Sequence, residues 1–512
     1  MAMINGYDYL FSFYYSKKDY NKGESILSEA LDSLQKSIER VFYVMKSEQK
    51  QRYWGHYQDE FLTYRSLINK VSELEDFNSK LFNYSIFSKS LLLDSESMDV
   101  AEFQRRININ WKNIQNKLSI KDIAIEFVSN RIDSSNYEYY ALIIDKTCQY
   151  PHIISLFNEN DYMNKKGMNT KTDLEILGDL IWKPILCQYS NVENIYFSPD
   201  GILNRLPIEY CYVDGIDEMM DHYNLFRLSS TKEIVFQNKK AQEANAILYG
   251  GLNYETQVIE STDNDSIKGN SLLRSINARG GFDPLFSALE EVQEIDSLLK
   301  NKNILSTLYT DEKGTEESFK KLSGKDVNMI HLSTHGMYIG PDIVYQKKIK
   351  NNFNFLELIT NEKDPVQEDI VLTHSFLVMS GGNKLIYRKT IAPQIDDDIL
   401  TAFEISQLDL RKVDMVVLSA CETGLGDINS NGIYGLQRGF KKAGVNTILM
   451  SLDKVDDEAT KLLMVEFYKN LMDGKTKHQS LKDAQKYLRQ VDNGKYDKPE
   501  YWASFIMLDG IN

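Results

Sequence analysis

Two residues in this chain have the types and surroundings to act together as a nucleophile and its base. Cys421 follows the uncharged apolar run Met415-Val416-Val417-Leu418 through Ser419 and Ala420, and leads into Glu422-Thr423-Gly424-Leu425-Gly426. His335 ends a second such stretch, Val327-Asn328-Met329-Ile330-His331-Leu332-Ser333-Thr334, and precedes Gly336. Short apolar runs with β-branched residues read as strands buried on both faces. The C-terminal ends of such strands are where α/β folds bind ligands. A thiol becomes a good nucleophile when a neighbouring imidazole takes its proton, and the same imidazole can return a proton to a leaving amine. An amide substrate also needs donors for the oxyanion, and the N–H groups of Gly336 and Cys421 sit where they could supply them. Spacing alone leaves open a buried structural cysteine with an unrelated core histidine.

The elements that must hold this pair follow from pattern. From Glu24 to Leu93 apolar residues recur at helical steps: Leu27, Leu31, Leu34, Ile38, Val41 and Met45, then Tyr57, Phe61, Tyr64, Leu67, Val71 and Leu74. They predict two long amphipathic helices in an antiparallel pair, without the tetratricopeptide signature. Near Ser119 the pattern changes. Ile123–Val128, Tyr139–Ile144 and Ile153–Phe157 read as strands, Asp173–Trp182 as a helix ended by Pro184, and Ile195–Gly201 as a strand entering a Pro-Asp-Gly turn. Strand and helix then alternate to a final strand at Trp502–Leu508, which makes the class α/β. The polar stretches Asn253–Arg279 and Gly340–Pro365 read as a long loop and a surface insertion.

Totals narrow the classes. The chain has 512 residues, 42% hydrophobic and 26% charged, which suits two to four soluble domains. A net charge of −15 without a basic block argues against nucleic-acid binding. The cysteines Cys148, Cys187, Cys211 and Cys421 are scattered and form no CxxC, so neither a metal site nor a disulfide framework is expected, and no cofactor. Cys148 and Cys211 read as packed core residues. No secretory leader and no membrane-spanning run is seen, so a reducing, cytoplasmic setting is expected. His331 reads as a core residue on the strand face of His335 and Ser333. Asp427–Gly432 matches half of an EF-hand loop, but Arg438 stands where the bidentate Glu belongs, so the stretch reads as an active-site loop and not a calcium site. Glu422 reads equally as a tuner of the thiol and as a solvent-facing residue.

Taken together, Val416–Gly426 and His331–Gly336 resemble the CHAT family of caspase-like cysteine peptidases, relatives of separase. The resemblance continues through Gly435–Phe440, Ala443-Gly444-Val445, Ser451-Leu452, Val455-Asp456-Asp457, Ala459-Thr460 and Tyr501–Phe505. It covers Ala246 to the C-terminus, and extends to the C-terminal part of TPR-CHAT proteins. It implies that Cys421 is the nucleophile and His335 the general acid/base. It also implies a caspase-like, parallel-rich sheet flanked by helices over residues 246–512. Ser198-Pro199-Asp200-Gly201 and Leu206-Pro207-Ile208-Glu209 resemble the upstream CHAT half, which implies a pseudo-peptidase α/β half over 119–245 behind a helical region over 1–118.

The chain also departs from its relatives. The caspase motif is absent, and the His-to-Cys interval exceeds the roughly 50 residues of caspases. Asp453 stands where CHAT sequences commonly have Trp after Ser-Leu. A carboxylate there would favour a basic P1 residue, while the alternative is that Asp453 caps the helix beginning near Asp457. The expected activity is protein hydrolysis, regulated by the helical region, an upstream helical repeat or a partner protein. A catalytically silent peptide-binding or scaffold module is the other reading.

Overall fold

A computed structural model describes residues 2–71, 75–133, 136–168, 171–213, 218–236, 245–255, 281–338, 371–383, 398–420, 424, 426–429 and 432–511. The chain divides into two units, residues 1–237 with 429–432, and 238–428 with 433–512. The loop expected over Asn253–Arg279 lies outside the described residues from 256 to 280, and the insertion expected over Gly340–Pro365 lies wholly outside them.

Unit 1 opens with helices Ala2–Ser16, Tyr20–Val41, Ser47–Arg65, Ile68–Val71 and Glu75–Ser97, a finer division than the expected pair. Leu27, Leu31, Leu34 and Ile38 are buried as their spacing predicts, as are Tyr57, Phe61 and Tyr64. The Glu75–Ser97 helix carries no clean apolar stripe because it is buried on nearly every side, polar residues included. Its strands are β1 (Asp122–Arg131), β2 (Tyr137–Asp145), β3 (His152–Asn158), β4 (Asn194–Ser198) and β5 (Asn224–Arg227), in the order β3-β2-β1-β4-β5. β1, β4 and β5 run parallel, while β2 and β3 are antiparallel additions. Pro184 does not end its helix. A π-helical turn at Gly178–Trp182 precedes it, and Pro184 falls in the first turn of the Lys183–Leu186 segment, where its missing N–H is not needed. That turn requires Gly178, since a Cβ there would lie 1.7 Å from the Tyr212 carbonyl oxygen.

Unit 2 holds β6 (Asn245–Leu252), β7 (Leu305–Asp311), β8 (Met329–Ser333), β9 (Gly336–Tyr338), β10 (Ser375–Val378), β11 (Ile399–Thr401), β12 (Met415–Ser419), β13 (Gly426–Asn429), β14 (Gly432–Gly435), β15 (Thr447–Ser451) and β16 (Phe505–Leu508). The larger sheet runs β16-β15-β12-β8-β6-β7, parallel throughout except for β16. β8 and β12 sit inside it, and every residue of both is buried, as interior strands of a parallel sheet require. Helices Phe286–Asn301, Leu436–Lys442, Asp457–Met472 and Lys477–Gln490 flank the sheet. The fold is thus α/β, with a largely parallel sheet and helices around it. A small antiparallel sheet, β9-β10-β11, continues directly from β8.

Candidate active site

β8 and β12 are neighbours in parallel, with Val417 opposite His331 and Ser419 opposite Ser333. His335 and Cys421 each stand two residues beyond that last matched pair. Adjacent strands are about 4.8 Å apart, so the register delivers the two chain segments side by side. Cys421 itself, with Glu422 and Thr423, lies outside the described residues. Its flanks do not. The Ala420 carbonyl accepts from Ser451 Oγ at 2.6 Å, and the Gly424 N–H donates to the Ser451 carbonyl at 2.6 Å. The end of β15 therefore holds the chain on both sides of the cysteine. Gly424 is required by this approach, because a Cβ would come within 2.9 Å of that carbonyl oxygen.

His335 is half-buried. Its ring lies between Tyr254 and Phe282, with centroids at 5.0 and 5.5 Å. Nε2 is 2.8 Å from the Asp283 carbonyl oxygen. A carbonyl only accepts, so Nε2 carries the hydrogen and Nδ1 keeps its lone pair. Burial pushes the imidazole below its usual pKa, while the Asp283 carbonyl and the charges of Asp283 and Asp457 pull the other way. The net result is a neutral imidazole whose basic Nδ1 has no partner among the described residues. The preceding residue is locked: Tyr254 donates to Thr334 Oγ1 at 2.8 Å, and Thr334 donates to the Val378 carbonyl at 2.5 Å.

The His335 carbonyl accepts from the Val378 N–H at 2.9 Å. With Gly336 opposite Leu377, this makes them a non-hydrogen-bonded pair of the antiparallel ladder, and the Gly336 N–H points away from β10.

Of the other residues singled out from sequence, His331 is fully buried with Nε2 2.8 Å from Glu291, whose second oxygen accepts from Ser333 at 3.1 Å. Cys148 and Cys211 are buried and Cys187 is exposed. Burial pushes the thiols of Cys148 and Cys211 up, away from reactivity. Asp453 is exposed and its carboxylate accepts from the Lys454 N–H at 2.7 Å. The cap of the Asp457–Met472 helix is instead Asp456, which accepts from the Ala459 N–H at 2.9 Å. Asp283, Tyr254 and Phe282 surround the site and were not singled out by sequence, while Ser451 and Asp457 were noted only as parts of the resemblance and as a helix start. Only Phe282-Asp283-Pro284, an aromatic-turn signal closing the polar loop, offered a cue.

Among the described residues no cluster of His, Cys, Asp and Glu could hold a metal ion, and no helix is long and apolar enough to cross a membrane. Comparison with known proteins places these features. Tetratricopeptide repeat protein 28 of Homo sapiens is 22% identical over 314 residues, 60% of this chain and 12% of that protein. Its Mus musculus counterpart is 24% identical over 250 residues, 48% of this chain and 10% of that protein. The chain thus spans a small fraction of the length of these relatives. The separase of the Saccharomyces cerevisiae separase–securin complex resembles it with a TM-score of 0.43 and 10% identity, over 94% of this chain and 37% of that one. The Arg-specific cysteine proteinase gingipain R does so with a TM-score of 0.35 and 9% identity, over 65% of this chain and 66% of that one. The CHAT domain family matches residues 171–510, from within unit 1 almost to the C-terminus, and the chain belongs to that family.

Proposed function

We propose that this chain is a cysteine endopeptidase working through Cys421 and His335. The observation that supports the reading is the β8–β12 register, which sets Ser333 opposite Ser419, each two residues ahead of His335 and Cys421 in the sequence. In the proposed reaction the Cys421 thiol proton passes to His335 Nδ1. The thiolate sulfur then bonds to the substrate carbonyl carbon. The N–H groups of Gly336 and Cys421 take the oxyanion. The imidazolium protonates the leaving amine as the C–N bond breaks, leaving a thioester. Water, giving its proton to His335, hydrolyses that thioester and restores the thiol. Glu422 and the loop from Asp427 border the nucleophile in this reading, Asp453 would select the P1 side chain, and a reducing cytoplasmic compartment would keep the thiol free.

The parts proposed for this work are the catalytic residues 246–512, the pseudo-peptidase half 119–245 and the helical region 1–118, the last acting as the seat of regulation by a partner or a helical repeat. The similarity to tetratricopeptide repeat proteins supports such a partner. The test is a peptide-library cleavage assay on wild type and Cys421→Ala. Cleavage by wild type, lost in the variant and blocked by iodoacetamide labelling of Cys421, is the expected result. Cleavage that persists in Cys421→Ala, or peptide binding without cleavage by wild type, overturns it, the latter in favour of a scaffold.

A further inference from the structure

The histidine's orientation depends on a backbone carbonyl, and that carbonyl belongs to a segment with no regular structure of its own. Residues 281–285 precede the Phe286–Asn301 helix in extended or irregular backbone. Something else has to hold the Asp283 carbonyl in place, and the side chain of Asn383 is built for it. Asn383 is 1% exposed. Its Oδ1 accepts from the Phe282 N–H at 2.8 Å, and its Nδ2 donates to the Phe282 carbonyl at 3.2 Å and to Glu255 Oε1 at 2.9 Å. Its own N–H donates to the Tyr254 carbonyl at 3.0 Å. The amide therefore spends both donors and an acceptor on the two segments that supply the flanking rings of His335.

We infer that Asn383 is a positioning residue: it ties the Tyr254 and Phe282 segments together and so fixes the Asp283 carbonyl on His335 Nε2, leaving Nδ1 as the basic nitrogen. No other side chain of this size offers two donors and one acceptor in one plane. Asp lacks the donors and would set a carboxylate oxygen against the Phe282 carbonyl and the Glu255 carboxylate. Asn383 itself is anchored by its neighbours. Gly381 donates to the Asn253 carbonyl at 2.9 Å, and β10 carries Phe376 and Val378 into one apolar cluster with Tyr254, Phe282, Leu252 and Ile399. The small sheet thus serves as the platform of the histidine.

The assignment to a catalytic step rests on the peptidase reading, but the geometry can be tested without it. Nitrogen NMR of His335, identified by its loss in His335→Gln, reports the tautomer and the titration. In wild type Nε2 is expected to carry the hydrogen, and the Phe282 amide to be protected from exchange. In Asn383→Asp and Asn383→Ala the tautomers should mix. The groups facing the ring are Tyr254, Asp283 and Asp457. Removing the Asp283 carbonyl deletes a contribution that favours the charged ring, so the titration should move further below the usual histidine value. Peptide turnover should fall by about 100-fold with KM little changed, the scale of a small misplacement at a reacting group, and the acid limb of its pH profile, set by the base that must be neutral, should move to lower pH. An unchanged tautomer and titration in soluble variants overturns the inference. So does a wild-type protein whose Phe282 amide exchanges freely, which needs no variant to fold. A wild type that keeps the tautomer yet cleaves nothing overturns the peptidase reading alone.

Discussion

The two units use the same feature, the C-terminal ends of parallel strands, in opposite ways. In unit 1 those ends are filled with charges that are fully answered. Lys89, from the Glu75–Ser97 helix, donates to Glu126 on β1 at 2.7 Å and to Ser198 and Pro199 at the end of β4. The other oxygen of Glu126 accepts from the Thr231 N–H and hydroxyl at 2.7 and 2.8 Å. Asp200 accepts from Arg65 and from the Ser129 N–H, both at 2.8 Å, while Lys232 pairs with Asp94 and Arg106 with Glu233. In unit 2 the corresponding end holds a histidine with one nitrogen tied and the other without a partner among the described residues. Charges that are buried and saturated brace one element against another, at a desolvation cost that leaves little surplus for stability and nothing for chemistry. A half-buried ring with a spare lone pair is available to react.

That contrast predicts where each unit breaks. The largest effect expected is on turnover in unit 2: His335→Ala should lower kcat by about 10⁴-fold or more, as for other nucleophile–base units, with thermal unfolding unchanged. The double variant with Cys421→Ala should be no worse than either alone. An additive double variant would break the idea of a single catalytic unit.

The next effect is on stability in unit 1. Lys89→Ala leaves Glu126 buried without its cation and should cost about 3–5 kcal/mol, read from urea unfolding. Lys89→Met with Glu126→Gln should cost clearly less, because no net charge stays buried. Equal losses would mean that Lys89 matters for its packing and not for its charge. The same network bears on any attempt to remove the helical front: a cut at Leu93 falls inside the Glu75–Ser97 helix and takes Lys89 with it.

The smallest effect concerns selection at the unit 2 site. With Asp456 serving as the helix cap, Asp453 is left exposed beside the segment that follows β15. Asp453→Ala should lower cleavage after P1 Arg by about tenfold, the scale of one charge-assisted hydrogen bond, while leaving a matched P1 Leu peptide unchanged. A parallel fall for both peptides would remove Asp453 from the substrate cleft.

Much of this was legible before any coordinates. The runs ending at Ser333 and Ser419 are short, uncharged and mostly apolar, so they read as interior strands, and the structure makes them neighbours inside the sheet. Other elements resisted. The Glu75–Ser97 helix is buried all round, which erases the stripe that periodicity relies on. β9, β10 and β11 are each three or four residues long, too short for alternation to register. Pro184 gave a true local signal that a π-helical turn then accommodated.

By itself the sequence determined the class of fold and the buried strands that end at Ser333 and Ser419, just ahead of His335 and Cys421, because periodicity and residue type are local properties. Only the tertiary structure decided which nitrogen of His335 is tied, that Ser451 holds the chain at Ala420 and Gly424, and that Asn383 bonds to the segments of Tyr254 and Phe282. Those depend on the carbonyls of Asp283, Ala420 and Ser451, and every residue has a carbonyl. A backbone group leaves no mark in the sequence, and its direction is set by packing alone.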